Sequence, residues 1–159
     1  MLTNFKITNT SLDNTVSSCS VSAKAPHFVF SQTGNLTADL IRGKTYRFNG
    51  TTNINGSISV WLDYNKSGTF DSAEWTSITT TSGVNTNNFV NITIPANTPL
   101  GMTGLRVRSR TGAAANTAKL ACTTFANGST HDYIVNITDP YTTDMGPNRL
   151  LNPANALCY

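Results

Sequence analysis

Eight short runs with β-type patterning, each closed off by Gly, Asn, Ser or Pro, leave this chain little choice of fold. They fall at residues 5–8, 27–31, 45–49, 57–63, 75–79, 89–94, 105–109 and 133–138, and helix-forming runs are scarce. Eight strands at that spacing predict an all-β, antiparallel β-sandwich of jelly-roll or immunoglobulin-like type. In the fourth run Ile58, Val60 and Leu62 alternate with Ser59, Trp61 and Asp63. That period describes a half-buried strand with Asp63 at its exit. Pro95 and Pro99 cannot donate to a ladder, so residues 94–105 read as a connection between sheets, and residues 112–128 as a second long loop. The pattern stops after Asp139 and Pro140. The chain therefore divides into a sandwich domain, 1–139, and an irregular C-terminal extension, 140–159. Tyr141, Leu150, Leu151, Leu157 and Tyr159 give that extension apolar area that needs a cover, from its own sandwich or by self-assembly with a partner.

Charged residues make up only 12% of the sequence, and Thr, Ser, Asn and Gly fill the surface positions that Lys and Glu occupy in a cytosolic protein. A net charge of +3 with no block of like charge predicts no nucleic-acid partner. Arg106, Arg108 and Arg110 alternate with Val107 and Ser109 and share one strand face, with Leu105 and Val107 turned the other way. A solvated sheet face accounts for them; contact with an anionic glycan or phosphate is the alternative. No apolar run approaches the ~18 residues of a membrane span, so no membrane insertion is expected. The opening Met-Leu-Thr-Asn-Phe-Lys lacks the charged and apolar regions of a signal peptide. Export would then need a leader from a longer parent or another route.

The sharpest local signal is Asp63-Tyr-Asn65-Lys-Ser67-Gly68-Thr69-Phe-Asp71-Ser-Ala-Glu74. As a 12-residue loop it sets oxygen side chains at positions 1, 3, 5, 9 and 12, Gly at 6 and a backbone carbonyl at 7, the order of an EF-hand calcium loop. Calcium takes six to eight hard oxygens in flexible geometry, which makes Asp63, Asn65, Ser67, Thr69, Asp71 and Glu74 the candidate ligands. A metal-free polar turn held by Asp63 and Asn65 is the competing account. Trp61 and Trp75 bracket the loop as packing residues or as a sugar platform. Catalytic residues are not expected: His27 and His131 are far apart, and no nucleophile elbow, zinc helix or phosphate-cradling loop is present. Cys19, Cys122 and Cys158 are too scattered for a zinc site; one disulfide and a leftover thiol, or three buried thiols, fit the count.

Val60-Trp-Leu-Asp-Tyr-Asn-Lys-Ser-Gly-Thr-Phe70, followed by Glu74, resembles the strand-and-loop hallmark of the GEVED-type domain, a β-sandwich module of secreted and surface proteins of Bacteroidetes-like bacteria. Ile94-Pro-Ala, Gly101 and Leu105-Arg-Val-Arg-Ser109 are similar to its Pro-containing connection and Arg-Val-Arg strand. Cys122 and Gly128-Ser-Thr-His-Asp-Tyr-Ile-Val-Asn-Ile137 are similar to its late cysteine and naming motif. Ser129 and His131 replace both glutamates of that motif, Asp132 and Tyr133 remain, and Ser67 stands where the family has Asp. The resemblance implies extracellular or cell-surface display and a non-enzymatic adhesion or binding role, with a protein or glycan surface as partner. The alternative is a phage virion surface, as a spike, fibre or decoration protein using the same module for assembly or host attachment. It also implies a bridge between Cys19 and Cys122, closing a loop of about 100 residues and stabilising by ~4–5 kcal/mol in the chain-entropy picture.

Overall fold

The structure, a computed structural model, describes residues 1–15, 27–111 and 116–140. Ten strands follow in chain order: β1 (Leu2–Ile7), β2 (Asp13–Thr15), β3 (His27–Val29), β4 (Asp39–Ile41), β5 (Thr45–Thr52), β6 (Gly56–Leu62), β7 (Trp75–Ser82), β8 (Asn88–Thr93), β9 (Gly101–Thr111) and β10 (Gly128–Thr138). Among the described residues the only helical pieces are three 3-10 turns, at Gly34–Leu36, Ser72–Glu74 and Ala118–Leu120. The first sheet runs β2-β1-β5-β8 and the second β3-β10-β9-β6-β7, with β4 beside β3 on the outer edge of β10. The fold is an open, sandwich-like all-β domain.

Alternation along each strand turns one face of each sheet inward. Phe5, Tyr46, Phe48 and Ile92 from the first sheet meet Ile58, Val60, Leu62, Leu105, Val107, Tyr133, Val135 and Ile137 from the second in one buried cluster. A bulge between Leu2 and Asn4 lets both Leu2 and Phe5 face the core despite their odd spacing. The Phe5 ring packs against Phe48 at 6.2 Å and Tyr133 at 5.5 Å, and so joins the two layers.

All eight predicted runs are strands, and the differences lie in their lengths and covers. β2 and β4 are additional, three residues each, too short to show a period. Both β3 and β4 run parallel to β10, so the second sheet is mixed rather than purely antiparallel. The connection after Ile94 ends earlier than expected: Gly101 to Gly104 already pair with β10, because both strands are eleven residues long. β6 is buried along its whole length, not on one face. Its outer face is roofed by the segment that follows β9. There the Asn116 backbone N–H donates to Ser57 Oγ at 3.1 Å, and Trp61 Nε1 donates to the Ala118 carbonyl at 3.1 Å. Trp61 is thus a packing residue, fully buried under that roof. The described residues contain no helix long and apolar enough to cross a membrane. The extension 141–159, including Cys158, lies outside the described residues, as does Cys19.

Candidate functional site

The loop after β6 folds around its own acids. Asp63 is buried, its backbone N–H bonded to the Gly104 carbonyl at 3.0 Å and its carbonyl accepting from Thr103 Oγ1 at 2.6 Å. These contacts pin the start of the loop to β9. The Asp63 carboxylate accepts from the backbone N–H groups of Ser67 and Gly68, both at 3.0 Å, and Asn65 Oδ1 accepts from Ser67 N–H at 2.8 Å. Lys66 (φ 56°) and Gly68 (φ 76°) take left-handed conformations that curl the chain back, and Gly accepts this without steric cost. At the far end, Glu74 accepts from the backbone N–H of Asp71 at 2.9 Å and of Asn65 at 3.5 Å, while Asn65 Nδ2 donates to Asp71 Oδ2 at 3.2 Å. Burial raises the Glu74 carboxyl above its ordinary range; the two N–H groups oppose this, and the charges of Asp63 and Asp71 add to it.

All six predicted ligand positions therefore sit in one compact turn, Ser67 Oγ lying 2.9 Å from Thr69 Oγ1. Among the described residues no group of three or more Asp, Glu, His or Cys side chains converges as a metal-holding set. A cation in this loop would depend on mixed carboxylate, amide, hydroxyl and carbonyl oxygens, the mixture that a hard cation accepts. Phe70 leaves the loop sideways and lies under the Arg106 guanidinium, 4.8 Å from its ring centroid.

Arg106 belongs to the second cluster. Strand register sets Arg106 opposite Asp132 and Arg108 opposite Thr130. Arg106 grips Asp132 with two parallel bonds, Nε to Oδ1 at 2.7 Å and Nη2 to Oδ2 at 2.6 Å, and His27 Nε2 reaches Oδ2 at 2.7 Å. Burial alone would raise Asp132, but Arg106 and His27 outweigh it and hold its carboxyl below the usual range. Arg108 is 4% exposed. It donates to Thr130 Oγ1 at 3.0 Å, to the Thr123 carbonyl at 2.6 Å and to the Leu120 carbonyl, and its charge lies 4.2 Å from the Phe125 ring centroid. This corrects the expectation of a solvated arginine face: Arg106 and Arg108 are pillars under the segment 118–125. The same segment carries Cys122, which is exposed and whose Sγ lies 3.3 Å from Arg106 Nη1. The proposed bridge from Cys122 to Cys19 falls outside the described residues.

The inward face of β10 completes the picture. Gly128 opens the strand at φ 144°, where a β-carbon would stand 2.0 Å from the Ser109 carbonyl oxygen and 2.6 Å from the Phe125 ring, so only Gly fits. Ser129 accepts from the Leu2 backbone N–H and shares a hydrogen bond with Ser109, both at 3.0 Å. His131 is fully buried against Phe28 and Phe30, with Nδ1 3.4 Å from the Tyr133 hydroxyl and Nε2 without a hydrogen-bond partner among the described residues. Burial lowers its pKa to about 4. Tyr133 stacks on Phe30 at 4.9 Å and its hydroxyl accepts from Asn14 Nδ2 at 2.9 Å. The two histidines serve opposite faces of the sheet, one in an exposed contact with Asp132 and one in the core.

Sequence reasoning recognised the loop but missed the arginine clamp. Its signal was present as two alternations, Arg-x-Arg on one run and Thr-x-Asp on another. Only strand pairing puts them in register.

These features define a sandwich-like β-domain whose oxygen-rich turn and arginine-clamped strand pair meet at Arg106 and Phe70. The family model of the GEVED domain matches residues 57–136, half of the chain, and the chain belongs to the GEVED domain family. No curated protein matches it.

Proposed function

We propose that this GEVED domain is a non-enzymatic binding module of an extracellular or cell-surface protein, with calcium held by the loop 63–74. The observation that carries this reading is the loop itself. Three carboxylates are folded into one turn with only backbone N–H groups and an amide to balance them, and burial pushes one of them, Glu74, toward the protonated form. A divalent cation would relieve that repulsion, with Asp63, Asn65, Ser67, Asp71 and Glu74 side chains and the Thr69 carbonyl as ligands. Calcium would then stiffen the turn and, through Phe70 and Arg106, the clamped strand pair. The neutral polar composition supports display outside the cytosol, and the partner this reading expects is a protein or glycan surface. The test is thermal unfolding in millimolar calcium against chelator. Binding to the folded state alone raises the melting temperature by a few degrees, on the order of 1–2 kcal/mol at tenfold excess over Kd. Superimposable curves in calcium and chelator would remove calcium from the account.

A further inference from the structure

The roof over the arginine face leaves a cavity of about 910 Å³, walled by His27, Arg106, Arg108, Cys122, Phe125 and Thr130 among others. Its charge is not balanced. Asp132 compensates Arg106 and bonds to His27, but among the described residues Arg108 donates only to two carbonyls and a hydroxyl. Outside the cavity wall, Arg110 sets a third guanidinium nearby, 5.8 Å from the centroid of the same Phe125 ring. The other described carboxylates are committed elsewhere: Asp13 to Lys6, Asp39 to Asn136, Asp139 to Arg42, and Asp63, Asp71 and Glu74 within their own loop. Among the described residues no acid is left to face Arg108. A buried cation without a counter-charge is costly, and an anion entering from solvent removes that cost.

We propose that this cavity is a binding site for a small oxyanion, a carboxylate, sulfate or phosphate group carried by its ligand. A guanidinium has five N–H donors, and the bonds of Arg108 to protein acceptors leave donors free for an incoming oxygen. Thr130 supplies a hydroxyl, and the Phe125 ring supplies an apolar edge for the body that carries the anion. Burial first, and the neighbouring charge of Arg106 second, draw the Arg108 pKa down to about 10, in keeping with a cation that lacks its partner. This site rests on the cavity side chains alone and requires no calcium in the loop.

The experiment titrates the whole folded chain, in chelator and at constant ionic strength, with sodium sulfate, sodium glucuronate and neutral glucose. The readout is the arginine Nε–H resonances in nitrogen-15 NMR spectra. Saturable shifts of Arg106 and Arg108 with sulfate or glucuronate, and none with glucose, support the site. A response to sulfate alone assigns a tetrahedral anion, and a response to glucuronate alone assigns a sugar carboxylate. Arg110→Gln leaves the carbonyl clamp intact and should weaken the affinity by about threefold through lost charge. Shifts that never saturate, that appear equally with glucose, or that Arg110→Gln leaves unchanged in affinity would overturn the proposal.

Discussion

The loop 63–74 and the arginine face of β9 touch through Phe70 and Arg106, yet they settle opposite charges by different means. The loop is local: its carboxylates accept from backbone N–H groups no more than nine residues away. The arginine face is non-local, its guanidinium groups bonded to Asp132, Thr130 and carbonyls of the roof twelve or more residues on. A local network can form as soon as its turn forms. The clamp exists only when β9, β10 and the roof are assembled, and so reports on tertiary structure.

The contrast can be broken first at Arg108. Arg108→Ala leaves the Leu120 and Thr123 carbonyls and Thr130 Oγ1 without their donor beneath the roof. The expected loss is about 4 kcal/mol in denaturant unfolding, from three acceptors short of a donor and the lost packing of the side chain, less what removing the unpaired cation returns. A loss under about 1 kcal/mol would mean that water replaces the arginine freely.

The inner face of β10 offers the next largest effect. His131 has an ordinary pKa of 6.5 and a folded value of about 4. The folded state keeps the ring neutral while the unfolded chain takes up a proton. Its contribution is therefore complete above pH 6.5 and drains away as the pH falls toward 4, by roughly 3 kcal/mol. Asp132, held below its ordinary 3.8, loses its own contribution only at lower pH, which separates the two faces of one strand. His131→Phe should flatten the stability curve between pH 6.5 and 4 and leave the steeper acid limb in place. An unchanged slope in that window would locate the acid sensitivity elsewhere.

The smallest effect belongs to the local network. Asp63→Ala removes the acceptor for the Ser67 and Gly68 N–H groups, and water reaches those donors through the exposed loop. About 2 kcal/mol should be lost in chelator. Hydrogen exchange should quicken at Ser67 and Gly68 while β9 and β10 stay protected. Exchange that quickens across the whole second sheet would show that the loop and the clamp are one cooperative unit.

How much of this was legible beforehand follows the same division. The strand runs, the turn chemistry of loop 63–74 and the Gly-x-x-x-Asp-Tyr segment of β10 are written in neighbouring residues, and each was readable as such. Arg108 was readable as a strand residue but not as a buried one. Nothing near it in sequence shows that residues 118–125 will fold back over it. The same roof turned the alternating run 57–63 into a strand buried on both faces, a pattern that side-chain period cannot distinguish when Ser57 and Ser59 lie on the covered face. β2 and β4 escaped notice because three residues carry no period, and the partner of β4, unlike the neighbouring β1 that pairs with β2, lies far along the chain.

By itself, then, the sequence determined the all-β class, the order of the eight main strands and the oxygen-rich turn, because these depend on side-chain alternation and turn residues over fewer than a dozen positions. Tertiary structure alone decided that Arg106 meets Asp132, that Arg108 meets no carboxylate among the described residues and that His131 faces the core while His27 faces out. Those outcomes rest on the register of β10 against β9 and on what covers each face, and burial then sets what every charge there costs.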